Sequence, residues 1–230
     1  MNMNANALKE ARRERGLTQK KAAARLGVSQ PYLALLECGK RPVTTPLARK
    51  AVRVLRVRPT LVPCERNPRE RRVTTDSLAR QLSALGYPGF KYMRAGWTRN
   101  PAEVLVEALR QEEPDTRVVE ALPWVLLNFP DLDRDWLLRD ARTYGLSNRL
   151  GFLVSLAMRL AEQRGNQSSV AYRNLAELAK MLEGSRLVVE DTFGKRLSPR
   201  QEEWVRQNRP ADAALWRVLT TWKPEHLQYA

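Results

Sequence analysis

Histidine and cysteine are the scarcest chemistry in this chain: one histidine, His226, and two cysteines, Cys38 and Cys64, in 230 residues. Two cysteines at that separation make neither a metal-ligand spacing nor a disulfide framework. His226 stands in the closing stretch KPEHLQYA and reads as a tail residue rather than a general base. No glycine-rich loop could cradle a phosphate, and no serine stands in a nucleophile's context. Neither an enzyme nor a cofactor-binding protein is expected, with no catalytic residue and no metal ligand assigned. The one carboxylate cluster, Asp131, Asp133, Asp135 and Asp140, opens a helix, where acidic side chains offset the macrodipole. Apolar runs are short as well. None approaches the roughly 20 residues of a membrane span, and MNMNANALKEARRERG lacks the apolar region of a signal peptide. A cytoplasmic, reduced protein is expected.

Acidic residues are scarce in one part of the chain only. Residues 1–72 hold 18 Lys and Arg against 5 Asp and Glu, a net of +13, out of +15 for the whole sequence. Residues 73–230 hold 22 against 20, a net of +2. Cation excess confined to one end is what neutralising a phosphate backbone requires.

Within that end, GLTQKKAAARLGVSQPYLALLECGKR, residues 16–41, reads as two short helices about a tight turn. Thr18 caps a helix over Gln19 to Leu26, and Gly27 makes the turn. Ser29 caps a second helix, with Pro31 in its first turn and Gly39 past its end. So short a connection forces the helices to cross steeply, which is the helix-turn-helix plan. A preceding helix over Ala5 to Arg15 and a following one opened by Thr45 and Pro46 complete a small bundle. Its core is Leu8, Ala11, Leu17, Ala23, Leu26, Val28, Leu33, Leu36, Leu47, Ala51, Val52 and Leu55, and it closes near Val57.

Residues 8–57 resemble the XRE (Cro/cI-like) helix-turn-helix family through Arg12, Leu17-Thr18-Gln19, Ala23, Leu26-Gly27-Val28-Ser29, Leu33, Leu36-Glu37 and Gly39-Lys40. Ala22 departs from it, since the family usually carries a larger aliphatic there. The resemblance implies a double-stranded DNA operator as partner and a homodimer on an inverted repeat. It implies that Arg12 pairs with Glu37 and that Gln19 touches phosphate. It places Ser29, Gln30, Tyr32 and Leu35 toward the bases, and Lys40 and Arg41 on the adjacent backbone. The residue chemistry agrees in part. Gln30 can bond adenine N6 and N7 together, while Lys20, Lys21 and Arg25 lie near phosphates or on a solvated face. Tyr32 divides between DNA and packing. Leu35 reads equally as a thymine-methyl contact or a core residue.

The Pro- and Arg-rich stretch 58–73 reads as a linker, either a tether or an arm along DNA. Residues 74–230 are expected to form a larger all-α domain for dimerisation or partner binding, hinting at a HEAT-like stack without a convincing repeat. Helices are expected over Thr75 to Leu85, Asn100 to Glu113 and Thr116 to Phe129, the last interrupted at Pro123. More are expected over Asp133 to Tyr144, Ser147 to Arg164, Val170 to Leu182, from Ser198 onward, and over Ala211 to Trp222. Arg186 to Glu190 is the sole strand candidate. All six tryptophans lie in this half, where core packing competes with a ligand pocket or a protein interface. The functional expectation is a transcriptional repressor. The alternatives are the antitoxin of a toxin–antitoxin pair and a ligand-sensing regulator.

Overall fold

The structure is a computed structural model that describes residues 5–64, 73–94, 96–194 and 196–227. Residues 65–72 of the expected arm lie outside the described residues. The chain is all-α: among the described residues it contains no strand. Arg186 to Glu190 runs without regular structure, and an isolated parallel bridge joins Asp191 to Val218 instead. No described helix is long and apolar enough to cross a membrane.

Four helices build the N-terminal unit: α1 (Ala5–Glu14), α2 (Gln19–Leu26), α3 (Gln30–Glu37) and α4 (Thr45–Leu55). Local chemistry sets their ends. Thr18 Oγ1 accepts from Lys21 N–H at 3.3 Å, and Ser29 Oγ accepts from Tyr32 N–H at 3.3 Å, each satisfying an orphan donor of its helix. Gly27 ends α2 at φ +67°, a left-handed backbone that suits glycine. The cap of α4 is Thr44, one residue earlier than expected. Leu8, Leu33, Leu36 and Ala22 are fully buried, so the small residue at position 22 fits a tight contact. This core continues past Val57 to Val62 through a 3₁₀ turn over Pro59–Leu61.

That turn is not a free tether. Asn100 Nδ2 donates to the carbonyls of Thr60 at 2.9 Å and Val62 at 2.7 Å. Its Oδ1 accepts from Ala102 N–H at 2.9 Å, so one buried side chain caps a second-domain helix and grips the end of the first domain. Thr60 Oγ1 donates to Asp131 at 2.8 Å beside it.

The second domain comprises α5 (Thr75–Leu85), α6 (Pro101–Leu109), α7 (Thr116–Glu120), α8 (Leu122–Asn128), α9 (Arg134–Thr143), α10 (Ser147–Gln163), α11 (Val170–Glu183), α12 (Pro199–Asn208) and α13 (Ala211–Leu215). Pro123 splits the segment after Thr116 into two helices. Helix α10 is the hub, packing against α8, α9, α11, α13 and the 3₁₀ turn at Pro224–His226. A HEAT-like stack would confine each pair to its sequence neighbours. Trp216 is 1% exposed and lies on Gly151 of α10, with a ring atom 2.2 Å from where a Cβ would stand. Its Nε1 donates to Ser155 Oγ at 2.8 Å. Helix α13 is shorter than expected because the chain turns at Arg217, φ +53°, to reach the Asp191 bridge.

Two buried polar clusters fix the rest. Arg99 bonds Glu103 at 3.2 Å and also pairs with Glu107. Asn148 holds the loop after α11 through Leu187 N–H at 2.8 Å and the carbonyls of Leu187 and Val189 at 3.2 and 3.1 Å.

Candidate functional site

The sequence-assigned positions fall into an inner lock and an outer face. Arg12 Nε donates to Glu37 Oε1 at 2.6 Å and Nη2 donates to Oε2 at 2.9 Å, a two-pronged pair between α1 and the end of α3. Arg12 Nη1 also donates to the Leu17 carbonyl at 3.0 Å, tying in the turn before α2. Both side chains are buried, so each charge depends on the other. Burial pushes the Glu37 carboxyl up. The hydrogen bonds from Arg12 and Gln19, with the charge of Arg12, outweigh it and hold Glu37 below the ordinary glutamate range. Glu37 raises Arg12 in turn through the same hydrogen bond.

Gln19 belongs to this lock. Its Nε2 donates to Glu37 Oε2 at 3.0 Å, so its amide nitrogen is engaged inward. Its backbone N–H belongs to the first turn of α2, where donors lack intrahelical partners. The side-chain amide therefore positions the start of α2 against the end of α3.

The outer face is α3 and its flanks. Ser29, Gln30, Lys40 and Arg41 are exposed, as are Lys20, Lys21 and Arg25 of α2. Leu33 and Leu36 are 0% exposed, whereas Leu35 is 37% exposed. At 100° per residue, a helix that buries 33 and 36 turns 35 outward, which separates the two readings of Leu35 in favour of the face. Tyr32 is half-buried and packs against the N-terminal core. Ser29 uses its oxygen as an acceptor within its own cap, and its hydroxyl hydrogen remains for an outside acceptor. Cys38 ends α3 as an exposed free thiol.

The turn between the two helices has a partner that its local sequence does not announce. Lys50 of α4 brings its Nζ to 2.6 Å from where a Cβ on Gly27 would stand. Glycine there serves both the backbone conformation and this close approach.

His226 Nδ1 accepts from Lys223 N–H at 3.3 Å within the tail turn. Asp133 caps α9 by accepting from Trp136 N–H at 3.0 Å. Trp136 and Trp216 are core residues, Trp124 and Trp222 are partly buried, and Trp97 and Trp204 are 68% and 60% exposed.

Residues 8–62 match the family model described as helix-turn-helix. The match extends beyond the sequence-derived boundary at 57 to the residue at which the structural core of this unit ends. No curated protein and no solved structure matches the chain.

Proposed function

We propose that the chain, whose residues 8–62 are an XRE-type helix-turn-helix DNA-binding segment, is a transcriptional repressor that occupies an inverted-repeat operator as a homodimer. The observation that carries this reading is the division of α3: Leu33, Leu36 and Glu37 are buried, while Gln30 and Leu35 are exposed between the cations of α2 and those of Lys40 and Arg41. A helix locked from behind and bare in front, flanked by positive charge, suits the major groove. One half-site gives little affinity, which is the argument for a dimer. The protein acts by occupancy in the cytoplasm, without catalysis or a cofactor.

Footprinting on the promoter of its own gene tests this. Gln30→Ala is expected to cost about 1–3 kcal/mol and relax base preference at one position. Lys40→Ala is expected to weaken all sequences alike and flatten the salt dependence by about one phosphate's share. Specific binding that survives both substitutions intact would place the reading helix elsewhere.

A second reading, the antitoxin, is favoured by exposed apolar side chains of the second domain. Val188 and Val189 are 80% and 77% exposed, and Trp204 of α12 is 60% exposed. Apolar side chains at that exposure suit a protein partner. The discriminating measurement is whether the product of the adjacent reading frame arrests growth and whether this chain relieves the arrest. A harmless neighbour eliminates the antitoxin and leaves the repressor.

A further inference from the structure

We propose that the cleft between the two domains is a binding site for a small phosphorylated aromatic molecule of the nucleoside phosphate class. The cleft encloses about 1010 Å³ between α4 on one side and α5 with the segment around Trp97 on the other, a domain junction large enough for such a ligand. Trp97 presents an indole 68% exposed to solvent, and the Arg53 guanidinium of α4 stands 5.5 Å from its ring centroid. Gly96 N–H donates to the Arg80 carbonyl at 3.3 Å, pinning Trp97 to the α5 wall. An exposed indole with a guanidinium over its ring is a platform on which a base stacks. Lys50, Arg53 and Arg80 line the same space and supply positive charge for a phosphate. Among the described residues lining the cleft the one carboxylate is Asp76, which pairs with Arg80 at 2.9 Å. On the floor, Arg99 pairs with both Glu103 and Glu107, a net of −1, while the walls hold Arg49, Lys50, Arg53 and Arg80 against Asp76, a net of +3, so the cleft as a whole is cationic.

The site also reaches the DNA-reading helices. Lys50 lines the cleft and abuts Gly27 in the turn between α2 and α3. A phosphate that draws Lys50 into the cleft alters the support of that turn, and operator and ligand then change each other's affinity by the same factor. This coupling rests on the repressor reading; the binding itself does not.

The full chain is titrated calorimetrically with ATP, GTP, inorganic pyrophosphate and adenosine. Saturable binding of ATP or GTP, tighter than pyrophosphate or adenosine alone, is expected. Trp97→Ala and Arg53→Ala should each weaken it by about tenfold, and Trp97→Phe should retain most of it. The double substitution Lys40→Ala/Arg41→Ala, on the outer face, should leave it unchanged. Three results overturn the site: no saturable binding of either nucleotide, binding indifferent to Trp97 and Arg53, or pyrophosphate binding as tightly as the nucleotides. A fourth is loss of nucleotide-free operator affinity in Trp97→Ala, which would make the cleft a contact for flanking DNA. Operator affinity that does not move at saturating nucleotide overturns the coupling. Operator binding without nucleotide is measured in the same samples, so failure of the cleft and failure of the repressor reading are separately visible.

Discussion

At the scale of single residues, the pair Arg12–Glu37 concentrates the most consequence. Two buried charges are held by a two-pronged contact, with Gln19 on the remaining carboxylate lone pairs. Glu37→Ala strands a buried guanidinium and is expected to cost about 3–5 kcal/mol by chemical denaturation. Replacing both partners with apolar residues of similar volume should recover much of that. The pH dependence follows from the direction of the Glu37 shift. Its carboxyl is held below the ordinary range in the folded protein, so its contribution is complete above the unfolded pKa. It disappears as the pH falls through the lower, folded value. Glu37→Gln should flatten the acid limb of the stability profile. A profile unchanged from the native protein would show that the pair does not govern it. The family pattern made both partners legible in the sequence, because their spacing is characteristic. The engagement of Gln19 was not, because an amide at a helix start serves phosphate or carboxylate equally well until its neighbours are placed.

At the scale of elements, the ends were legible wherever a cap acts within four residues of itself. Thr18, Ser29, Thr74, Ser169 and Ser198 each accept a hydrogen bond from the first turn that follows, and their helices begin where the sequence places them. Boundaries set by distant partners were not legible. Helix α13 ends early because residues 217–219 bond with Asp191, a partner more than twenty positions away. Nor could the sequence choose between the two readings of Leu35, since position 35 has the same apolar character as 33 and 36. Only the packing of α3 separates them. Trp216 and α10 make another nonlocal contact, and it is a strict one. Gly151→Ala puts a methyl into the indole, whose nearest ring atom lies 2.2 Å from the added carbon. The ring is buried and hydrogen-bonded to Ser155, so it has little room to move. We expect a loss of at least about 1–3 kcal/mol, read as a lower melting temperature. A concurrent shift in tryptophan emission would report the displaced indole.

At the scale of the whole molecule, the charge is segregated while the structure is not. The net charge of +13 in residues 1–72 marks off the DNA-binding end. Even so, Val62 at its border is 1% exposed and is held by Asn100 from the second domain. A composition shift finds the change of function, whereas the mechanical boundary lies where hydrogen bonds cross. Thermal unfolding of the full chain should accordingly be one cooperative transition. Asn100→Ala should lower it, or divide it in two, by removing two donors to the Thr60 and Val62 carbonyls. Two transitions in the unmodified protein would mean that the domains melt independently and that this joint is weak.

The Asn100 joint also limits how the reading head can be exchanged. A chimera joined after residue 57, where the sequence pattern ends, keeps the Thr60 and Val62 carbonyls that Asn100 holds but removes the core into which Val62 packs. A junction placed after residue 64 puts a foreign segment beside Asn100, whose buried amide then lacks acceptors, at about 1–3 kcal/mol, unless that segment supplies carbonyls in the places of those of Thr60 and Val62. The interchangeable cassette is therefore longer than the motif that identifies it, and its far edge is set by one asparagine in the other domain.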